Sequence, residues 1–195
     1  MGVEEFFNLF LAELKINKNL WKTYHFLETN DYAVFNFRKR YFCQRLEFIS
    51  GNIGKPGTHI WDCGCGFGTT AIFLALNGYT VYGNTLEFFF DQVPGRIDYW
   101  SKLGDLSNLT LTHENLFGIV SAKKYDYIIA QDTLHHLEPI DDALRIISAS
   151  LKPGGSLIAI EENGSCLIQR FKNYLRRGNK LVIEIEDEKQ KANCC

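Results

Sequence analysis

The spacing of hydrophobic residues changes about a quarter of the way along the chain. Over residues 3–50, apolar residues recur three or four positions apart, as in Phe6, Phe10 and Leu14, and this period predicts helices. After a connector rich in glycine and proline (residues 51–57), short β-branched and aromatic runs alternate with helical patterns. Such alternation is typical of βαβ units that build a parallel sheet.

The alternation can be divided into separate elements. The predicted strands are His59–Cys63, Thr80–Asn84, Leu109–Thr112, Tyr125–Ala130, Ser156–Glu161 and Leu181–Ile185. The predicted helices between them are Thr69–Leu76, Leu86–Leu103 with a break at Pro94–Gly95, Ile140–Leu151, and Ser165–Arg177. Gly78 is placed to end the first of these helices, because a left-handed cap residue costs glycine little. The predicted fold class is therefore α/β, with helices on both faces of a mostly parallel sheet and an N-terminal helical cover.

Charge and hydropathy exclude several classes of protein. The 195 residues include 21 Lys and Arg and 23 Asp and Glu, a formal net charge of -2, so one near-neutral domain is expected. Nucleic acid and anionic membranes are usually bound through a clear excess of positive charge, so we expect neither as a partner. The longest apolar run, Ala71–Leu76, is far shorter than the roughly 20 residues of a membrane span.

The cysteines and the N-terminus bear on the cellular compartment. Six cysteines are present: Cys43, Cys63, Cys65, Cys166, Cys194 and Cys195. They lack the paired spacing of zinc ligands, so no metal site is expected, and we interpret them as reduced thiols. Glu4 and Glu5 precede the first apolar stretch and no cationic leader is present. These features predict a cytoplasmic protein.

The basic cluster Arg38-Lys39-Arg40 lies within the helical segment. Its simplest interpretation is the solvated face of a helix. The alternative is that it contacts an anionic group.

The segment most informative about function is residues 60–70, I-W-D-C-G-C-G-F-G-T-T. An apolar strand enters a loop with glycine at positions 64, 66 and 68 and continues into a helix. Glycine permits positive φ and lets a ligand approach the backbone without a Cβ in the way. A dinucleotide fingerprint, G-x-G-x-x-G, would need glycine where Thr69 stands, so the spacing disfavours an oxidoreductase that uses a nicotinamide cofactor.

This loop resembles the first motif, D/E-x-G-x-G-x-G, of the class I S-adenosylmethionine-dependent methyltransferases, matched here by Asp62, Gly64, Gly66 and Gly68. Residues 151–155, L-K-P-G-G, are similar to the turn before that family's fifth strand. Residues 125–130 and the L-H-H-L at 134–137 are similar to its fourth strand and following loop. Three motifs in the family's order make the resemblance specific over residues 57–162.

The resemblance implies a three-layer Rossmann-like sandwich that binds S-adenosyl-L-methionine and releases S-adenosyl-L-homocysteine. It implies a core over residues 57–186, a helical cover and substrate-binding segment over residues 1–56, and a frayed tail over residues 187–195. Because the cover is aromatic and nearly neutral, we expect a small, partly apolar methyl acceptor, and we leave the oligomeric state open. The alternative is a cofactor-binding regulatory or inactive protein that keeps the fold without turnover.

The cofactor contacts are carried over from the family position by position. Asp62 would order the loop or meet the methionine ammonium, while the loop itself would lie against the cofactor. Thr85 stands at the position where the family has the acidic residue that binds the ribose hydroxyls. Glu87 follows two residues later, so both residues are candidates. Leu116 and Phe117 would cover the adenine ring or belong to the core. The full set is Asp62, Gly64, Cys65, Gly66, Gly68, Thr85, Glu87, Glu114 or Asn115 at the adenine amino group, and Gln131 through its backbone.

Catalytic and acceptor residues are less determined by the sequence. His136 follows the fourth strand, where open α/β sheets bind ligands, and is the candidate general base; the alternative is a histidine that caps the next helix. Tyr32 or Tyr41 is expected nearest the transferred methyl group. Gln131 and Asp132 are expected to line the pocket.

The length raises one further expectation. The resemblance implies seven strands, whereas only six are recognised, and an unpaired fifth strand would form an exposed edge. We therefore expect a truncated or unusually terminated methyltransferase whose C-terminal strand hairpin is incomplete.

Overall fold

The computed structural model describes residues 1–119 and 124–161, and these form one parallel sheet flanked by helices. The helices are α1 (Val3–Ile16), α2 (Lys18–Tyr24), α3 (Tyr32–Asn52), α4 (Thr69–Leu76), α5 (Glu87–Phe90), α6 (Val93–Trp100) and α7 (Ile140–Ser150). The strands are β1 (His59–Cys63), β2 (Thr80–Thr85), β3 (Leu109–His113), β4 (Tyr125–Gln131) and β5 (Leu151–Ile160). Their order across the sheet is β3-β2-β1-β4-β5, and every pair is parallel.

Alternate residues of the central strands face two separate layers of helices. Ile60 and Ile129 belong to one hydrophobic cluster, together with residues of α1, α3 and α4. Their neighbours Trp61 and Ile128 belong to a second cluster on the other face, with Ala143 of α7. The α/β three-layer prediction is thereby confirmed. β1 is covered on both faces, and its residues Ile60, Trp61 and Cys63 are apolar and buried.

The N-terminal helices are joined to the sheet layer by a buried ion pair. The guanidinium of Arg96 in α6 donates from Nε and Nη2 to the two carboxylate oxygens of Glu13 in α1, each at 2.8 Å. Its Nη1 donates to the Phe67 carbonyl at 2.7 Å and to Thr69 Oγ1 at 2.8 Å. The Trp100 indole N–H donates to Glu13 Oε2 at 2.8 Å. One buried guanidinium thus connects α1 to the loop between β1 and α4.

Two predicted boundaries differ from the structure. The predicted helix 86–103 is two helices, but they separate at residues 91–92 and not at Pro94–Gly95. Pro94 lies in the first turn of α6, where a missing N–H costs nothing because no intrahelical partner exists. The fifth strand begins at Leu151, five residues earlier than predicted, because Leu151 pairs with Tyr125 ahead of a register irregularity.

The remaining predicted elements match the structure within a residue. Residues 59–63 and 69–76 form a strand and a helix with the predicted bounds. Gly78 follows α4 with φ +83, as predicted. The predicted helix Ser165–Arg177, the strand Leu181–Ile185, the tail 187–195, and Cys166, Cys194 and Cys195 lie outside the described residues. Within residues 1–119 and 124–161, no helix is long and apolar enough to cross a membrane.

Candidate functional site

The glycine loop leaves β1 at the carboxyl edge of the sheet and begins α4. Gly64, Gly66 and Gly68 have φ values of +71, +54 and +75, a region that L side chains rarely adopt. A Cβ on Gly64 would lie 2.5 Å from Thr133 Cγ2, whereas a Cβ on Gly66 would meet no atom within 4 Å. The loop is therefore packed against β4 at Gly64 and open at Gly66.

Asn84 holds this loop to β2, a role that the sequence reasoning missed. Its buried side-chain oxygen accepts from the Trp61 indole at 2.7 Å and from the Gly64 N–H at 3.4 Å. Its amide nitrogen donates to the Glu114 carbonyl at 3.1 Å, and its own carbonyl accepts from the Cys65 N–H at 2.9 Å. One side chain therefore connects β1, the loop and the segment after β3.

A cavity of about 250 Å³, the inner cavity, opens beside the loop where four strands end. Gly64, Gly66, Asn84 and Thr85 line one side of it. Its lining also includes Glu114, Asn115, Leu116, Gln131, Asp132, Thr133 and His136. Parallel α/β sheets bind ligands at this edge.

The structure brings most of the predicted cofactor residues to this cavity. Gly64, Gly66, Thr85, Glu114, Asn115 and Gln131 all line it, as does the candidate base His136. Asp62, Cys65, Gly68 and Glu87 are not among its lining residues. Of the two ribose candidates, Thr85 is buried at the cavity wall and Glu87 is exposed at the start of α5.

Asp62 lies behind the loop in the sheet layer. It is 2% exposed, and one carboxylate oxygen, Oδ2, is buried with no hydrogen-bond partner within residues 1–119 and 124–161. Desolvation by burial raises the pKa of Asp62 from 3.8 to about 7, although a hydrogen bond from the Ala71 backbone opposes the shift. This position favours the first of the two predicted roles, ordering of the loop.

The segment after β4 is arranged by Glu161, a second residue that the sequence reasoning missed. Glu161 Oε1 accepts from the backbone N–H groups of Thr133 at 3.0 Å and Leu134 at 2.7 Å. Its Oε2 contacts His135 Nδ1 at 2.5 Å. Burial, and then the neighbouring His135, lower the pKa of His136 below its usual 6.5. His136 is therefore a neutral imidazole at neutral pH.

Neither Asn84 nor Glu161 carries a signal that sequence reasoning could have used. Their partners lie between 20 and 30 positions away along the chain. Only the pairing of β2 with β1, and of β5 with β4, brings these groups together.

A second cavity of about 300 Å³, the outer cavity, lies between the N-terminal helices and the end of β4. Its lining includes Tyr24, Phe26, Arg38, Tyr41 and Arg45, and it shares Gln131 and Asp132 with the inner cavity. Of the two predicted acceptor tyrosines, Tyr41 lines this cavity. Tyr32 is 79% exposed and lines neither cavity.

The inner cavity fits the cofactor that the sequence implies. At Gly66 the space that a Cβ would fill is open, so a ligand can approach the backbone directly. Gln131, which lines the cavity at the end of β4, has a buried side-chain oxygen, Oε1, that accepts no hydrogen bond from the residues that the structure describes. S-adenosylmethionine carries an ammonium and an adenine amino group, both donors, so acceptors of this kind suit it.

The sequence was compared with known families and with solved structures. The family model for the methyltransferase domain matches residues 34–189. The chain belongs to this methyltransferase domain family. The match includes the glycine loop and both cavities apart from the residues before position 34.

Relatives of this methyltransferase-family chain include two ubiquinone biosynthesis O-methyltransferases. The protein from Coxiella burnetii is 28% identical over 134 residues, which is 67% of this chain and 53% of that protein. The mitochondrial protein from Dictyostelium discoideum is 26% identical over 138 residues, covering 62% of this chain and 42% of its own length. The chain thus spans about half the length of these relatives.

Solved structures share the fold at low identity. The YcgJ protein from Bacillus subtilis superposes with a TM-score of 0.57 at 16% identity, over 69% of this chain and 58% of its own. Phosphoethanolamine N-methyltransferase 2 from Haemonchus contortus, solved with S-adenosyl-L-methionine, superposes with a TM-score of 0.57 at 22% identity. The match covers 76% of this chain and 35% of that protein. The [4+2]-cyclase SpnF superposes with a TM-score of 0.56 at 22% identity, over 70% of this chain and 57% of its own. Its name shows that the fold also carries chemistry other than methyl transfer.

Proposed function

We propose that this chain transfers a methyl group from S-adenosyl-L-methionine to a small, partly apolar acceptor. The proposal rests on the inner cavity, which is lined in part by Gly66. The backbone of Gly66 is open to a ligand, and the loop that contains it has the family's glycine spacing. Membership of the methyltransferase domain family supports the same function. The outer cavity supplies a neighbouring space for the acceptor.

In this proposal the cofactor binds in the inner cavity. The backbone of Gly64 and Gly66 contacts its methionine and ribose portion, and Gly68 and Cys65 keep the loop in shape, because the Gly68 N–H donates to the Cys65 carbonyl at 2.8 Å. Thr85 is the ribose contact that the geometry favours, with Glu87 as the alternative.

The adenine end of the cofactor is assigned to the segment after β3. The carboxylate of Glu114 is held by the Tyr82 hydroxyl at 2.5 Å, so it presents a fixed acceptor to the adenine amino group. Asn115 is the alternative contact, and Leu116 covers the ring. Gln131 contributes its backbone from the end of β4.

The transfer needs orientation more than acid–base chemistry. The bound cofactor supplies an electrophilic methyl group on a sulfonium, so the bond to the acceptor forms as the carbon–sulfur bond breaks and its electron pair stays on sulfur. His136 takes the proton from an acceptor that must lose one, since its lowered pKa keeps the imidazole neutral at neutral pH.

Two glycines provide a matched test of the cofactor site. Gly66 and Gly57 have positive φ, +54 and +89, and a Cβ on either meets no atom within 4 Å. Alanine should therefore destabilise both positions, by about 1 kcal/mol each. Only Gly66 lines the inner cavity, so Gly66→Ala should weaken binding of S-adenosylhomocysteine at least tenfold, while Gly57→Ala leaves it within twofold. Isothermal titration calorimetry measures both affinities.

Equal affinities in the two variants would show that the loop does not bind the cofactor. Binding of NAD without binding of S-adenosylhomocysteine would instead support the oxidoreductase alternative. Binding of S-adenosylhomocysteine with no product in a screen of small-molecule acceptors would favour the protein without turnover. Formation of S-adenosylhomocysteine from S-adenosylmethionine in that screen is the result expected of the enzyme.

The organisation and location of the protein remain predictions. We assign residues 1–56 to the substrate-binding cover and residues 57–186 to the cofactor-binding core. A cytoplasmic location is expected from the sequence, and one relative is named as mitochondrial. Imaging of the tagged full-length protein tests the location.

A further inference from the structure

The outer cavity adjoins the inner cavity directly. Gln131 and Asp132, at the carboxyl end of β4, line both, so a molecule in the outer cavity borders whatever the inner cavity holds. Its opposite wall comes from the N-terminal helices, through Tyr24, Phe26 and Tyr41 among others. A molecule in the outer cavity would therefore lie beside a cofactor bound in the inner cavity as proposed above.

The charge of this cavity is not balanced. In the part of the chain that the structure describes, three charged side chains line it: Arg38, Arg45 and Asp132. Arg45 and Asp132 neutralise each other through two contacts, Nη1 to Oδ2 at 2.5 Å and Nη2 to Oδ1 at 3.2 Å. Arg38 donates from Nη1 to the Phe26 carbonyl and pairs with no carboxylate among the residues that the structure describes. Among the residues within 1–119 and 124–161 that line the cavity, one positive charge is left without a carboxylate partner.

The other members of the basic cluster behave differently. Lys39 forms an ion pair with Glu4 at 3.0 Å, and Arg40 is exposed and lines neither cavity. Arg38 alone of the three faces a cavity. The sequence-based alternative, contact with an anionic group, therefore applies to this residue and not to its neighbours.

The shape and chemistry of the wall select among anions. Aromatic side chains offer flat apolar faces for a planar ring, and a guanidinium pairs with the two oxygens of a carboxylate through parallel N–H groups. A volume of about 300 Å³ is at the lower end of small-molecule pockets, which suits one or two rings.

We infer that the outer cavity binds the methyl acceptor, and that this acceptor is a small planar compound with one negatively charged group recognised by Arg38. The aromatic residues hold the ring, and Asp132 stays paired with Arg45, so that the cavity keeps a single positive charge for the ligand. The inference rests on the proposed methyl transfer and names the substrate class for it.

Calorimetry of the protein saturated with S-adenosylhomocysteine tests the inference without turnover. The probes are the three hydroxybenzoates and the two naphthoates, with the matching neutral amides, and cyclohexanecarboxylate as an anion without a planar ring. At least one aromatic carboxylate should bind ten or more times tighter than its amide and tighter than cyclohexanecarboxylate. Equal affinity for carboxylate and amide, or no binding of any aromatic carboxylate, would overturn the inference.

Two arginines of α3 give the matched variants. Arg38→Gln should weaken the bound carboxylate at least tenfold and leave its amide unchanged, whereas Arg40→Gln, which removes the same charge, should change neither by more than twofold. If both variants lost the same affinity for the carboxylate, the loss would follow from the lower net charge of the protein, and the role of Arg38 would be refuted. If Arg38→Gln does not fold, the comparison of carboxylate with amide in the unaltered protein still decides.

The two levels of proposal fail in different ways. If S-adenosylhomocysteine itself does not bind, the proposed function is wrong. If it binds, and the aromatic carboxylates do not, the function stands and the acceptor class assigned to the outer cavity is wrong.

Discussion

At the scale of single residues, Asp62 combines a position in the motif of the glycine loop with an unfavourable environment. Its carboxylate is buried, and one oxygen has no hydrogen-bond partner among the described residues. Such a group costs folding free energy when it is ionised, and its raised pKa of about 7 expresses that cost. The ionised carboxylate of Asp62 therefore weakens the fold at neutral pH, and strongly shifted pKa values of this kind cluster at functional sites.

The pH dependence of stability should report this cost. The folded state holds the Asp62 proton more tightly than the unfolded chain, whose pKa is near 3.8, so stability falls as pH rises from about 4 to 7 and then levels off. Asp62→Asn removes that dependence. Relative to the unaltered protein, the variant should gain about 3 kcal/mol in free energy of unfolding between pH 4.5 and 7.5, measured by urea denaturation.

A second aspartate supplies a control of opposite sign. The hydrogen bond from Lys152 lowers the pKa of Asp126, so its ionised form is favoured by folding, and that stability is lost as pH falls. Asp126→Asn should therefore lose stability toward neutral pH, by under 1 kcal/mol because the pair is partly exposed. If the pH profiles of both variants ran parallel to that of the unaltered protein, the burial of Asp62 would have no energetic consequence.

At the scale of elements, the contact between α1 and α6 includes a charged pair, Glu13 with Arg96, inside a hydrophobic cluster. Glu13 and Arg96 are 1% and 0% exposed, and the same guanidinium binds the Phe67 carbonyl in the glycine loop. A buried pair is costly to break because the remaining charge has no partner. The pair therefore makes the shape of the glycine loop depend on a helix some 50 residues earlier in the chain.

Removal of the guanidinium should destabilise the protein strongly. Arg96→Met leaves Glu13 unpaired and should cost about 3–5 kcal/mol in urea denaturation. Glu13→Gln combined with Arg96→Met removes both charges, keeps an acceptor for Trp100, and should recover at least half of that loss. Lys152→Met, which breaks a partly exposed pair with Asp126, should cost under about 1 kcal/mol.

The double variant separates stability from loop position. The Phe67 carbonyl still lacks its buried donor there, so affinity for S-adenosylhomocysteine should stay several-fold reduced even where stability returns. If the double variant recovered both the stability and the affinity for S-adenosylhomocysteine, the pair would contribute to stability alone and would not influence the loop. A single variant as stable as the unaltered protein would contradict the whole account.

The bounds of an element were predicted well where the local sequence pattern determines them, and poorly where pairing with another strand determines them. Strand β1 and helix α4 follow from a short apolar run, a glycine loop and a glycine cap, all local signals. The start of β5 depends on Leu151 pairing with Tyr125, a contact that no local pattern contains. In the site, the glycine period was visible in the sequence, whereas Asn84, Glu161 and Arg96 act through partners distant along the chain.

At the scale of the whole molecule, the N-terminal helices and the sheet share one core. A single hydrophobic cluster includes Phe6 and Phe10 of α1, Ile49 of α3, and Ile60 and Ile129 of the sheet. Apolar packing of this kind is non-directional, so it does not by itself fix where α3 lies relative to the ends of the strands. Directional contacts are needed to set the shape of the outer cavity between them.

The pair between Arg45 and Asp132 is such a contact, and a double-mutant cycle measures its strength. It joins α3 to the end of β4, with side chains 17% and 37% exposed. Arg45→Met and Asp132→Asn, the latter chosen because asparagine tolerates the φ of +50 at this position, should couple by about 1–2 kcal/mol in unfolding free energy. The pair between Arg145 and Asp142, 76% and 50% exposed on α7, should couple by under about 0.5 kcal/mol. Equal coupling energies in the two cycles would mean that apolar packing alone keeps the N-terminal helices in place. The aromatic residues of α2 and α3, and not the pair between Arg45 and Asp132, would then determine the shape of the outer cavity.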